Sequence, residues 1–346
     1  MAGTWNNQNK ILPGAYINFL TNAPLSITPG ERGTVLLLQE MSTGETGDLY
    51  TVTAIENTYP DGVTAEDTYL AAEALKGART VKVYNLGTAH SGETVEAALA
   101  AIKTVEFDVL AYPYDGTGFE AKAVIAAWIK AMTDTEGKGI QGVFANYRGD
   151  YEGIINVTQG VKLSDGTVLT PAETTAWVAG ITAGANVNQS NTGKKYQGAI
   201  DVVPRKTKAE MEAAITAGEF IFKADSAQNV TAVYDINSLT TATESKGKPF
   251  AKNRVIRTLY GINNDITEIF ESNFVGRLDN NEDGRAQLRA TVVEYFNELQ
   301  RLGAIKDFTA EDVAITQGTD SDAVVIESYI KPVDSIEKMY ITVKLS

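Results

Sequence analysis

An α/β architecture, mixed α+β in its details, is expected from three features of this 346-residue chain. Between residues 33 and 147, short apolar runs rich in β-branched residues alternate with helical patterns, which points to layers built around a mainly parallel sheet. Near the C-terminus a long amphipathic helix, Arg285–Leu302, is followed by three extended segments. Each chain end carries a short apolar–polar alternation cut off from its neighbours. Such a strand must find a partner, in its own fold or on another molecule.

The elements follow in order. Residues 1–14 are polar, close on Pro13-Gly14 and read as a flexible lead-in. Ala15–Thr21 is a short strand with Ile17 and Phe19 on one face and Tyr16, Asn18 and Leu20 on the other. The continuous apolar run at 33–40 reads as a buried strand, and Leu49–Ile55 as another. Ala65–Lys76 is a helix, capped by Thr64 and stopped by Gly77. Strand Arg79–Tyr84, helix Glu93–Lys103, strand Phe107–Tyr112, helix Gly118–Met132 and strand Gln141–Tyr147 continue the alternation. Tyr151–Leu163 alternates and turns at Asp165-Gly166 into Val168–Leu169, a hairpin signal.

Pro171–Ala183 is a small-residue helix with Pro in its first turn. A polar loop, Asn186–Gly198, leads to helix Lys208–Ala217, strands Phe220–Lys223 and Val230–Asp235, and the polar connection Ser238–Pro249. Arg254–Ile269 is expected to be a helix broken near Gly261. In the long helix Leu288, Val292, Tyr295, Phe296 and Leu299 form an apolar stripe, and Gly303 ends it. Val313–Thr316 and Ala323–Ile330 are strands. The last, Met339–Leu345, sets Met339, Ile341, Val343 and Leu345 on one face and Tyr340, Thr342 and Lys344 on the other.

Composition narrows the function classes. The formal net charge of −14 argues against a large nucleic-acid footprint, which needs clustered Lys and Arg. No apolar run is long enough for a membrane span, and MAGTWNNQNK lacks the charged start and apolar core of a signal peptide. With no cysteine there are no disulfides or thiolate metal sites.

Four motifs bear on chemistry. GKGIQG at Gly137–Gly142 matches G-x-G-x-x-G, but a helix precedes it and a strand follows. That order reverses what a dinucleotide site needs and favours a turn. DNNEDG at Asp279–Gly284 resembles half of a calcium loop, yet its twelfth position is Ala290 where a bidentate Glu belongs. A solvated loop capping the helix is the stronger reading. His90 is the sole histidine; it sits in an apparent surface turn, away from any G-x-S-x-G elbow. Arg285 and Arg289, one helical turn apart, read either as a solvated face or as a basic patch docking on an acidic partner. No catalytic, metal or cofactor site emerges.

The C-terminal third carries a resemblance. NRVIRTLYGIN at Asn253, FVGRLDNNEDGR at Phe274, LQRLGAIKDF at Leu299 and KPVDSIEKMYITVKL at Lys331 occur in an order that resembles contractile tail sheath proteins. These are known from contractile-tailed phages and from phage-tail-like R-type bacteriocins, the short Gram-positive type in particular. PGAYINF at Pro13, LKGARTVKVYNL at Leu75 and WVAGITAGANVNQSNT at Trp177 extend the match over almost the whole chain.

The resemblance implies a non-enzymatic, multi-domain sheath subunit whose α/β core domain is completed by strands exchanged between subunits. Copies would stack as hexameric discs around an inner tube and contract to drive it through a cell envelope. Tyr16, Ile17, Phe19 and Leu20 would form the N-terminal linking strand. Met339, Tyr340, Ile341, Thr342, Val343 and Leu345 would form the C-terminal one. Val313–Thr316 and Ala323–Ile330 would receive them, with hinges at Asn22–Gly30 and Lys331–Ser335. Arg285 and Arg289 would face the tube. Implied partners are other copies, the tube, and baseplate and tail terminator proteins, with no nucleic acid and no direct membrane insertion. The place would be a virion or tail-like particle, assembled in the bacterial cytoplasm and released. The expected division is an arm at 1–22, an α/β region at 23–90, a middle α/β domain at 91–250, a core domain at 251–333 and the closing strand at 334–346. Alternatives are another virion or tail component, or an α/β small-molecule-binding enzyme.

Overall fold

The computed structural model describes residues 30, 32–116 and 120–343. Strand β1 (Thr34–Gln39) is the apolar run, and Val35 to Leu38 are fully buried because both faces of the strand are covered. β2 (Leu49–Thr53) is followed by helix α1 (Ala65–Leu75) and β3 (Thr80–Asn85), which lies parallel beside β1. Helix α2 (Gly92–Ala101) leads back to β4 (Val109–Tyr112) on the other side of β1. Helix α3, described over Ala121–Asp134, leads to β5 (Gln141–Ala145), and β6 (Ile154–Val157) adds alongside.

The expected long hairpin starting at Tyr151 splits between two sheets. Its first half is β6; its second half, β7 (Gly160–Leu163), pairs with β8 (Val168–Leu169) across the Asp165-Gly166 turn. Helix α4 (Pro171–Ala183) leads to β9 (Ala199–Val203), which pairs on the far side of β7. After α5 (Lys208–Thr216), the two-residue strand β10 (Glu219–Phe220) returns to the main sheet beside β6. β11 (Phe222–Ala224) and β12 (Val230–Ala232) form a separate pair.

The main sheet therefore runs β10-β6-β5-β4-β1-β3-β2, parallel except at the β2–β3 edge. The division expected at residue 90 passes through it, since β1 to β3 lie before that point and β4 to β6 after. One face is covered by α2 and α3, where Val95, Leu99, Ile125 and Ile129 meet Leu36, Leu38, Leu110 and Phe144. The other face is covered by α1 and α4. Every residue of α4 except Pro171 and Glu173 is buried, as befits a helix apolar all round. Its small residues have a use. A Cβ on Gly180 would sit 2.0 Å from Ala74 O, so α1 and α4 touch backbone to backbone. Trp177 stacks on Tyr196 at 4.2 Å, and the Tyr196 hydroxyl donates to Glu73 Oε2 at 2.8 Å.

Asp67, in the first turn of α1, ties the preceding loop to the helix. Its carboxylate accepts from Ser42 N (2.7 Å), Ser42 Oγ (2.8 Å), Thr43 Oγ1 (3.0 Å) and Thr64 Oγ1 (2.8 Å). Burial alone would raise its pKa, but these bonds outweigh it and hold the group at about 2. A depressed carboxylate stabilises the fold above its unfolded pKa and loses that contribution as pH falls toward the folded value. The shift corresponds to about 2–3 kcal/mol at neutral pH, lost between roughly pH 5 and pH 1. Asp67→Asn is therefore expected to lower stability by about 1–3 kcal/mol at pH 7 and to flatten the acid limb. Denaturant unfolding at several pH values checks this; an unchanged acid limb would refute it.

The C-terminal region is a helical pair with small sheets. Helix α6 (Asn253–Asn273) packs with α7 (Glu282–Arg301) around Ile262, Phe274, Leu288, Val292, Phe296 and Leu299. α6 runs unbroken through Gly261, contrary to expectation. One glycine costs a helix about 1 kcal/mol, and burial of Tyr260 and Ile262 on either side outweighs that. β14 (Val313–Gln317) and β15 (Val324–Ser328) form an antiparallel hairpin packed on α7 through Val313, Ile315, Val324 and Ile326. β13 (Ile305–Lys306) pairs with β16 (Lys331–Pro332).

Candidate functional site: the roots of the terminal strands

Of the predicted linking residues, Tyr16, Ile17, Phe19, Leu20 and Leu345 lie outside the described residues. Met339, Tyr340, Ile341, Thr342 and Val343 lie within them. They belong to no β-ladder among the described residues, and their exposure runs from 70% at Ile341 to 90% at Tyr340 where large apolar groups are concerned. The apolar face formed by Met339, Ile341 and Val343, with the Tyr340 ring opposite, is thus left in water, a cost that a partner strand would remove. The predicted receiving elements are the β14–β15 hairpin, a two-stranded sheet among the described residues. Such a sheet is marginal by itself and offers outer edges to another strand.

The C-terminal segment is tied down further along than the expected hinge at Lys331–Ser335. After β16, Val333 N donates to Ala304 O at 2.9 Å. Arg254 donates from Nη1 to Ser335 Oγ (2.6 Å) and from Nη2 to Gly303 O (3.2 Å). The Glu337 carboxylate, only 6% exposed, pairs with Lys252 Nζ and accepts from Thr192 Oγ1 (2.6 Å) and Ser190 Oγ (3.0 Å). Lys252 also lies 3.5 Å from Asp334 and 3.9 Å from the centre of the Tyr234 ring. Burial works to raise the Glu337 pKa, yet the bonds from Lys252 and Thr192 leave it below the usual glutamate range. The free segment starts at Lys338.

The N-terminal root is held from the opposite side. Gly30 N donates to Asp265 Oδ1 at 3.1 Å, while Gly33 N and Thr34 N donate to Asp108 Oδ2 at 2.8 and 2.9 Å. Arg32 stands 3.5 Å from Asp108. The other oxygen of Asp265 accepts from Tyr295 on α7 at 2.6 Å. Burial raises the Asp265 pKa, with the Tyr295 and Gly30 bonds pulling the other way.

Arg285 and Arg289 are half-buried and spent on backbone carbonyls. Arg289 reaches Val313 O (2.8 Å) and Ala310 O, which fixes the start of β14 to α7; Arg285 binds Asn280 O at 3.2 Å and Oδ1 at 3.0 Å. The DNNEDG loop caps α7, since Asn281 Oδ1 accepts from Gly284 N at 2.8 Å. GKGIQG is a turn into β5, with Gly137 at φ 71°. Among the described residues no group of acidic or histidine side chains could hold a metal.

His90 does not sit in an open turn. Its ring bonds to Glu40 Oε1 (2.8 Å) and the Tyr112 hydroxyl (2.5 Å) and packs 4.6 Å from the Tyr114 ring. Nearby, where β1 and β4 end, is a crevice lined by Glu40, Tyr69, Tyr114, Asp115 and Glu173. Open α/β sheets hold ligands at such a place, but Glu40, Asp115 and Glu173 are engaged by His90, Lys122, Tyr69 and Thr170.

The residues that hold the roots, Lys252, Arg254, Glu337, Asp108 and Asp265, were not singled out from sequence. One signal was available. The apolar row at 345, 343, 341 and 339 would continue at 337, where a glutamate stands instead.

Family profiles described as the phage tail sheath protein central domain, the phage tail sheath C-terminal domain and the tail sheath protein Gp18 domain III N-terminal region match residues 88–238, 245–346 and 32–86. The phage-like element PBSX protein XkdK of Bacillus subtilis (strain 168) is 43% identical over 256 residues, covering 72% of this chain. The chain spans only 55% of that protein's length. The crystal structure of a sheath tail protein from Desulfitobacterium hafniense superposes with a TM-score of 0.83 at 35% identity, covering 95% of this chain and 99% of that one. The helical sheath of the anti-feeding prophage in its contracted state shares the fold, with a TM-score of 0.72 at 16% identity over 97% of this chain and 99% of that one.

Proposed function

Because the chain belongs to the phage tail sheath family, which is structural and not enzymatic, we propose that it is the sheath subunit of a contractile injection system. In this reading it polymerises as stacked hexameric discs around an inner tube, and the sleeve contracts to drive that tube through a cell envelope. Its partners are further copies, the tube, and the baseplate and terminator proteins at the ends. It works in a virion or tail-like particle, assembled in the bacterial cytoplasm and released, without nucleic acid or membrane insertion. The terminal strands at Tyr16–Leu20 and Met339–Leu345 link neighbouring subunits.

The observation that carries this reading is the exposed apolar segment 339–343 in a protomer whose β14–β15 hairpin is a two-stranded sheet. Strand addition matches the two: backbone hydrogen bonds supply affinity and alternating side chains supply register. Arg285 and Arg289 face the tube in this reading, with their guanidinium groups oriented by Asn280 and by the carbonyl of Val313. Electron microscopy of the protein purified with its tube tests the proposal. Helical sleeves around the tube are expected; monodisperse monomers that never polymerise on tubes would overturn it.

A further inference from the structure

We propose that α6 is the common anchor of both terminal arms, with Lys252 and Arg254 positioning the C-terminal arm and Asp265 positioning the N-terminal one. This rests on the linking-strand reading and deepens it by naming the residues that fix where each arm leaves the subunit.

A pull on an arm is first resisted at the outermost point where its chain is tied. On the C-terminal side that point, among the described residues, is Glu337, held by Lys252 at the cap of α6 and by Thr192 and Ser190; two residues further in, Arg254 on α6 holds Ser335. On the N-terminal side the outermost described tie is Gly30 N on Asp265, three turns along the same helix. Arg254 and Asp265 are about 16 Å apart along the axis at 1.5 Å per residue. α6 is unbroken between them and its first half is buried. It is braced by α7 through the Tyr295 hydroxyl on Asp265. A load entering through one arm can therefore reach the other along a single hydrogen-bonded helix, in parallel with the path through Asp108 and Thr34 into β1 of the seven-stranded sheet. The polar character of both roots fits this role. Each is a set of directional bonds that fixes the exit angle of a segment whose own apolar faces are reserved for a neighbour.

The test uses the full chain. Glu337→Lys is expected to raise hydrogen exchange most at residues 331–337, to lower the unfolding midpoint while leaving the far-UV circular dichroism of the protomer unchanged, and to cut sleeve yield at least tenfold. Combining it with Lys252→Glu restores an ion pair of opposite polarity and is expected to recover sleeves in part, which a merely structural role would not produce. Glu337→Gln gives the same comparison if the reversed charge prevents folding. At the other root, Asp265→Ala with Tyr295→Phe, which orphans no buried hydroxyl, is expected to loosen residues 30–34 alone and likewise to reduce sleeves. Wild-type sleeve yield from these variants would overturn the anchoring role while leaving the linking strands intact as an idea. Normal sleeves from a chain lacking residues 338–346 would overturn the linking reading itself.

Discussion

A chain ending at Glu337, with residues 338–346 removed, is expected to fold as the full protomer does and to fail completely in assembly. The reason lies in where the bonds are. The side chains of 339–343 are exposed, and among the described residues the last tie of the C-terminal segment to its own fold is at Glu337. Truncation after that point removes no buried group among the described residues, so the unfolding midpoint should stay within about 2 °C of the parent. In an assembly the same residues would form roughly five backbone bonds at about 1 kcal/mol each. They would also bury several apolar side chains at about 1.5–3 kcal/mol each. Ordering the segment costs about 1–2 kcal/mol per residue for the backbone. A single link would therefore be marginal, and a sleeve built this way would depend on many links acting together. Losing one arm from every subunit removes all of them on that side. Circular dichroism melts and electron microscopy give the two readouts. A truncated chain that unfolds would show that the strand belongs to its own core.

Much of this was legible in the sequence because it depends on short-range pattern. The continuous apolar run at 33–40 read as a buried strand, and β1 is an interior strand of the sheet with β4 and β3 on its two sides. The cap at Thr64 and the Pro171 helix start are local chemistry and stand where expected. The terminal alternation at Met339 to Val343 was visible for the same reason. What could not be read was long-range. Tyr151–Leu163 looked like one strand because nothing in its alternation records that Thr158 and Gln159 carry the chain from one sheet to another. β10, β13 and β16 are two residues each, too short to have a period. Arg285 and Arg289 looked free on a helix face because their acceptors, the carbonyls of Asn280, Ala310 and Val313, leave no side-chain signature. Lys252 and Glu337 are 85 residues apart in sequence, and an ion pair at that separation has no local signal.

Arg257 is the position where one substitution should cost the protomer most. It lies in α6 with its side chain fully buried, and it bridges three separate stretches of chain. Nε donates to Thr182 O near the end of α4 (3.1 Å), Nη1 donates to Gln189 O in the following loop (2.7 Å), and Nη2 stands 3.6 Å from Asp235 Oδ2. Burial pulls its pKa down and Asp235 works against that. Asp235 in turn accepts from Asn191 N at 2.9 Å and from Asn253 Nδ2 at 3.0 Å. Arg257→Ala would strand two carbonyls and a buried carboxylate and open a cavity, so a loss of about 3–5 kcal/mol is expected. Arg257→Lys keeps the charge but replaces a planar fork by a single ammonium group, which cannot span the three acceptors. It should lose about 2 kcal/mol or more. Adding Asp235→Asn to Arg257→Ala removes the orphaned charge, and the pair should be less damaging than the sum of the two single changes by about 1–3 kcal/mol. Denaturant midpoints for the four proteins measure this directly. If the changes simply add, the guanidinium serves only as a donor to the two carbonyls and the ion pair contributes nothing. If Arg257→Ala costs less than about 1 kcal/mol, the junction between α4 and α6 is held by apolar packing instead.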